Sequence, residues 1–120
     1  MGENREYVTR PAEKGSINIS EDVISIIAAN AVMETDGVAA LSTSLGKDIA
    51  ELLGKKNLSK GVKITVEDEN IKVDIYLLVK IGTSVSKVGA KVQEAVATAI
   101  ESMTGFSVSE VNVHVCGVSL

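Results

Sequence analysis

The feature that most constrains the fold is a long alternation of side chains between Ile71 and Ile81. Successive side chains of a β-strand point to opposite faces, so this segment predicts a strand with two different faces. The aliphatic face consists of Ile71, Val73, Ile75, Leu77, Val79 and Ile81. The mixed face consists of Lys72, Asp74, Tyr76, Leu78 and Lys80. Such a strand would bury its aliphatic face in a core.

A second alternating segment at 62–67 precedes this strand, and the polar residues Asp68-Glu69-Asn70 separate the two. Two alternating runs joined by a short polar turn are typical of an antiparallel hairpin, here formed by 62–67 and 70–81. Further strands are expected at 16–20 and 106–118, with 38–42 as an additional candidate.

Two segments have helical periodicity. Segment 84–104 places apolar residues at steps of three or four, and Gly105 follows where a helix is expected to stop. Its predicted apolar stripe consists of Val85, Val88, Val92, Val96, Ala99 and Met103. The other helix is expected at 21–36, because Ser20 is a good N-cap and two acidic residues follow it in the first helical turn.

These elements predict a two-layer α+β domain. Its mixed sheet has about four strands, and both helices pack on one face of that sheet. The expected strands are 16–20, 62–67, 70–81 and 106–118. Residues 1–14 are polar and include the single proline of the chain, so we expect a flexible N-terminal arm there. Residues 15–120 form a single domain, long enough to bury roughly two thirds of its unfolded surface.

The charge balance argues against a dedicated nucleic-acid binder. The chain has 12 basic and 16 acidic residues, and aromatic residues are only 2% of it. The chain therefore offers little excess positive charge to neutralise phosphates and few aromatic rings on which bases could stack. One segment is locally basic through Lys47, Lys55, Lys56, Lys60 and Lys63. A small RNA-binding module that uses 47–63 is the alternative function, and a solvated loop beside a short helix is the simpler interpretation of the same residues.

The only histidine and the only cysteine, His114 and Cys116, lie two residues apart in the last predicted strand. They would share one face with Cα atoms roughly 7 Å apart. One interpretation is a cysteine nucleophile activated by the imidazole. The favoured interpretation is a sheet face of mixed polarity, with Cys116 as a small hydrophobic residue. The sequence predicts no helix N-terminus beside the thiol that would activate it. One histidine and one cysteine are also too few ligands for structural zinc. We expect no enzyme activity, no metal and no cofactor.

The mixed face of strand 70–81 is the candidate partner surface, and its chosen residues are Tyr76, Leu78 and Lys80. An open, partly apolar face is suited to a partner or to self-association. The alternative is that segment 38–54 covers it. No apolar run approaches the ~20 residues that span a bilayer. A single cysteine suits a reducing cytoplasm, which is the expected location.

Four segments in this order and spacing carry a family resemblance. They are GSINISEDVI at 15–24, DGV at 36–38, VDIYLLVKIG at 73–82 and IESMTGFSVSEVNVHVCGV at 100–118. Together they resemble the alkaline-shock, Gls-type envelope stress response family of Gram-positive bacteria. The resemblance covers about residues 15–118, and the length of the chain is most similar to the short housekeeping members.

The resemblance implies a small cytoplasmic α+β domain without catalytic or cofactor residues. It implies a non-catalytic scaffold or adaptor in cell-envelope homeostasis or envelope stress response. Some members of this family self-associate and are held at the membrane by a membrane-spanning partner with a related domain. The expected partners are therefore proteins, namely further copies of the chain and a membrane-anchored relative. The expected location extends to the inner face of the membrane.

Overall fold

The computed structural model describes residues 7–42 and 61–120. The described residues form six strands and two helices. In chain order they are β1 Tyr7–Ala12, β2 Gly15–Ser20, α1 Glu21–Met33, β3 Val38–Leu41, β4 Val62–Glu67, β5 Asn70–Lys80, α2 Val85–Thr104 and β6 Ser107–Ser119. The predicted α+β class, with a mixed sheet of four strands and two main helices, is confirmed.

Strand β5 is the centre of the four-stranded sheet. Strand β6 runs parallel to it along its whole length, as expected when a helix connects two strands of one sheet. Strand β4 pairs antiparallel with 70–75, so the predicted hairpin is confirmed. Strand β3 pairs antiparallel with 77–79. Because a strand has only two edges, β3 and β4 lie end to end on the edge opposite β6.

The ends of β3 and β4 meet beside Tyr76. The backbone N–H of Ser42 donates to the carbonyl oxygen of Tyr76 at 2.8 Å, and the N–H of Tyr76 donates to the carbonyl oxygen of Gly61 at 2.7 Å. Gly61 has φ +91°, and a Cβ there would lie 2.9 Å from the carbonyl oxygens of both Ser42 and Tyr76. Only glycine fits this junction without strain. The backbone of Tyr76 therefore joins the ends of β3 and β4.

Helix α1 begins as predicted, because the Ser20 hydroxyl accepts a hydrogen bond from the Val23 N–H at 3.2 Å. It ends at Met33, a few residues before the predicted end at 36. Helix α2 begins after the N-cap Ser84 and ends at Gly105, which has the left-handed φ of +83°.

The buried stripe of α2 differs from the predicted one. Val88, Val92 and Val96 are buried as expected, whereas Val85 and Met103 are exposed. The stripe continues through Ile100 and Thr104, so it follows steps of four residues. The sequence did not distinguish the two ends of the stripe, since steps of three and four both suit a helix.

The core lies between the helices and the aliphatic face of β5. Ile71, Val73, Ile75, Leu77 and Val79 are all fully or almost fully buried. Helix α1 contributes Ile24, Ala28, Ala31 and Val32, and α2 contributes its buried stripe. The alternation of strand 70–81 therefore predicted the core-facing residues from Ile71 to Val79 correctly, whereas Ile81 lies beyond the end of β5 and is 62% exposed.

The N-terminal segment corrects two predictions. Residues 7–12, expected in a flexible arm, form β1 and pair antiparallel with β2, while residues 1–6 lie outside the described residues. Val8 is buried in the core, which holds β1 in place. Segment 16–20 is a strand, but β1 is its partner in a separate two-stranded sheet. The place expected for it in the main sheet is taken by β3 at 38–41.

Candidate partner-binding surface

The sheet face opposite the core is called the open face below. Its side chains are Lys72, Asp74, Tyr76, Leu78 and Lys80 of β5 with Glu110, Asn112 and His114 of β6, their neighbours in register. The predicted surface residues Tyr76, Leu78 and Lys80 thus lie together on the open face. Residues 38–41 form a strand beside β5 and do not cover this face. Residues 43–54 lie outside the described residues.

Asp74 organises the polar part of the open face. Its Oδ1 accepts a hydrogen bond from Nδ2 of Asn112 at 3.3 Å and lies 3.2 Å from Nε2 of His114. The carboxylate of Asp74 is thereby held in place by two side chains of the neighbouring strand. A carboxylate shared by two partners fixes the imidazole ring and the amide in one arrangement.

The rings of Tyr76 and His114 stack across β5 and β6. Their centroids are 4.5 Å apart and their planes differ by 13°. The imidazole is therefore held at its edge by Asp74 and on its face by Tyr76. Cross-strand aromatic contacts of this kind reduce the freedom of both side chains while leaving part of each ring exposed.

Leu78 supplies the apolar part of the open face. A Cβ at position 117 would lie 3.1 Å from Cδ2 of Leu78, so Leu78 lies directly over Gly117. Leu78 is only half-buried there. Lys80, at the end of β5, is exposed. The open face thus passes from a polar cluster at Asp74 to an apolar side chain and then to a cation.

A bulge in β6 changes the predicted faces of its last residues. The register with β5 shifts between Leu77 and Leu78, so Leu77 is paired with Val115 whereas Leu78 is paired with Gly117. A regular alternation would place Gly117 on the face of Val115, and Val118 on the face of His114. The structure reverses both placements because one extra residue of β6 is accommodated in the bulge.

His114 and Cys116 make contacts of different kinds on β6. The Cys116 thiol donates to the backbone carbonyl oxygen of His114 at 3.6 Å, while the imidazole contacts Asp74 and Tyr76. Cys116 is exposed. Within residues 7–42 and 61–120, no group of three or more histidine, cysteine, aspartate or glutamate side chains is placed to hold a metal ion.

The predicted basic segment is largely untested, because Lys47, Lys55, Lys56 and Lys60 lie outside the described residues. Lys63 is exposed on β4 and is paired in register with Asp74. Its side chain therefore lies beside the open face, where a carboxylate is its cross-strand neighbour.

The outer edge of β6, the edge not paired with β5, was not anticipated from the sequence. The side chain of Glu101 accepts a hydrogen bond from the Val108 N–H at 2.9 Å, and Nε2 of Gln93 donates to the Val111 carbonyl oxygen at 3.0 Å. Both side chains belong to α2. Polar residues on a helix are usually assigned to solvent, so the sequence carries no signal for this contact.

Comparison with known proteins assigns the family. Residues 9–120 match the model of the alkaline shock protein (ASP23) family, which is described as having a cell envelope-related function. The chain belongs to the alkaline-shock family. The resemblance of the four sequence segments is thereby confirmed, and the match also includes most of β1.

Relatives within the alkaline-shock family include two uncharacterized proteins of Bacillus subtilis (strain 168). YqhY is 38% identical over 104 residues, which are 87% of this chain and 77% of YqhY. YloU is 34% identical over 106 residues, which are 87% of this chain and 88% of YloU. The similarity therefore extends over most of each protein.

A variant of the MamM CTD has a related fold. It is 13% identical with a TM-score of 0.51, and the match covers 81% of this chain and 94% of that chain. At this identity the likeness concerns the fold alone. Neither described helix of the alkaline-shock chain is long and apolar enough to cross a membrane.

Proposed function

We propose that the chain is a non-catalytic scaffold or adaptor in cell-envelope homeostasis, acting through self-association and through docking onto a membrane-anchored protein. The open face is the docking surface. The observation that carries this proposal is the stacked pair of Tyr76 and His114, fixed by Asp74 and bordered by Leu78.

The open face is suited to binding a protein because its side chains are already ordered. Freezing a flexible side chain at an interface costs roughly 0.5–1.5 kcal/mol, so a pre-ordered ring binds at lower entropic cost. Tyrosine is also enriched among the residues that dominate protein interfaces. Tyr76 and Leu78 offer apolar contact area, and Lys63, Lys72 and Lys80 supply charge around it.

No reaction is part of this proposal. The acid–base groups of the open face engage one another across the strands, as in the contacts of Asp74 with His114 and Asn112. Such contacts stabilise one arrangement of a binding surface. The family description, which concerns the cell envelope, supports the same class of role.

The proposal is tested by capturing partners from the native host, with membrane and cytosol fractions analysed separately. A membrane-spanning protein recovered in this way is then purified and its affinity for the chain is measured directly. The double variant Tyr76→Ser/Leu78→Ser should weaken that affinity at least about tenfold, since truncated interface anchors cost ~2 kcal/mol or more.

The matched control is the double variant Ile26→Ser/Met33→Ser. These two side chains are exposed apolar residues of α1, far from the open face in the fold. The control should bind like the wild type. Full affinity in the Tyr76/Leu78 variant would disprove the docking surface, and recovery only of RNA or soluble enzymes from cytosol would disprove the scaffold role.

A further inference from the structure

Strand β6 has one paired edge and one free edge. It extends over 13 residues, Ser107–Ser119, and pairs with β5 along one edge. Among residues 7–42 and 61–120, no strand pairs with the other edge. An unpaired edge presents backbone donors and acceptors in a row, which is a template for another strand.

The two halves of the free edge are treated differently by α2. In the first half, Glu101 and Gln93 bind the outward N–H of Val108 and the outward carbonyl of Val111. These contacts occupy backbone groups that an incoming strand would need. Helix side chains therefore protect the first half of the edge.

The second half, residues 113–119, has a different composition and exposure. The backbone N–H and C=O groups of alternate residues point toward the unpaired edge. After Val111 these residues are Val113 and Val115 and, beyond the bulge, Val118. Val115 is 38% exposed and Val118 is 49% exposed. Residues 111–119 include no lysine, arginine, aspartate or glutamate and no proline, so two of the devices that block an edge are missing there, while a third, the bulge opposite Leu77 and Leu78, is present.

We infer that residues 113–119 of β6 pair, strand to strand and antiparallel, with the same residues of a second copy of the chain. This inference rests on the self-association in the proposed function and assigns it a surface. It gives a two-fold symmetric dimer in which the four-stranded sheets of the two copies become continuous.

A second copy is the favoured occupant because the segment is complementary to itself. In a two-fold interface each residue meets the same short segment of its partner. The neutral segment brings no like charges together, whereas directly opposed like charges would be destabilising. The bulge also moves Val118 to the side of Val113 and Val115, so valines of the two copies face one another on the helix side of the sheet.

The experiment is sedimentation equilibrium of the full chain over a wide concentration range. We expect the wild type to form a dimer, and Val115→Lys to raise its dissociation constant at least about tenfold. Lysine on an edge strand is a natural means of preventing strand pairing. The Val115 side chain is exposed, so circular dichroism and the melting temperature should change little.

The matched control is Ile26→Lys, which places the same charge at a residue of α1 that is 44% exposed. It should dimerise like the wild type. Val118→Lys is a second edge variant, used if Val115→Lys lowers the melting temperature. A wild type that stays monomeric at the highest concentration, or edge variants that dimerise with unchanged affinity, would overturn the inference.

Cys116 provides a direct probe of the position of the interface. It is exposed and is the only cysteine of the chain. In the inferred dimer the two thiols lie on adjacent strands, so a short bismaleimide should join two copies of the wild type and of Ile26→Lys. The yield should fall with Val115→Lys, and equal yields in all three proteins would contradict the inference.

The same variants separate this inference from the proposed docking surface. Val115→Lys should dimerise at least about tenfold more weakly and still bind the membrane partner through the open face. If the wild type proves monomeric while the Tyr76/Leu78 variant loses the partner, the strand-paired dimer is wrong and the docking surface stands. If the dimer forms and no membrane partner binds, the docking role fails and the dimer stands.

Discussion

The two faces of β5 are built from alternating residues of one strand, yet their side chains differ in burial and in the contacts they make. On the aliphatic face, side chains such as Ile75 and Leu77 are completely buried under the helices. On the open face, Asp74 and Tyr76 make specific contacts with β6 while remaining partly accessible. Substitutions on one face should therefore change stability, and substitutions on the other should change binding.

The largest stability effect is expected on the aliphatic face. Ile75→Ala would leave a cavity under the helices, and we expect the free energy of unfolding to fall by about 3 kcal/mol. Urea unfolding followed by circular dichroism measures this change. A loss below about 1 kcal/mol would mean that the core relaxes around the cavity, and the distinction between the faces would be weaker.

A smaller effect is expected from the stacked rings of the open face. A double-mutant cycle with Tyr76→Ala and His114→Ala should give a coupling energy of about 0.5–1.5 kcal/mol, as for other aromatic pairs. Each free energy of unfolding is again obtained from urea titrations. A control cycle with Tyr76→Ala and Val85→Ala, which lie on β5 and at the start of α2, should be additive within ~0.5 kcal/mol.

The smallest effect is expected for the ion pair at the other end of the open face. Nζ of Lys72 lies 3.9 Å from Oε1 of Glu110, and the two side chains are 39% and 51% exposed. Exposed pairs contribute little, so a cycle with Lys72→Met and Glu110→Gln should give a coupling below about 0.5 kcal/mol. A coupling above 1 kcal/mol that persists in high salt would contradict this expectation.

Much of the fold could be predicted because the strongest patterns are local. The alternation around Ile75 identified the buried face of β5, and Ser20 and Gly105 identified two helix ends. The partners of strands were harder to predict, because alternation shows that a segment is a strand without showing which edge it joins. For this reason β2 was assigned to the wrong sheet.

The candidate surface was predicted in outline and missed in detail. Tyr76, Leu78 and Lys80 were assigned to one face from their spacing alone, and they share it. The contact of Asp74 with His114 depends on the parallel register of β5 and β6, which the sequence does not encode in any short motif. The bulge near Cys116 was also missed, since a single extra residue leaves no pattern in an otherwise regular alternation.

The junction at Tyr76 has a consequence for how the chain can vary. The backbone of this one residue holds Ser42 through its carbonyl oxygen and Gly61 through its N–H. A Cβ at position 61 would lie 2.9 Å from the carbonyl oxygens of both Ser42 and Tyr76 and would force the three backbones apart. Replacement of Gly61 by alanine should therefore loosen the ends of β3 and β4 together, so position 61 is constrained by two strands at once.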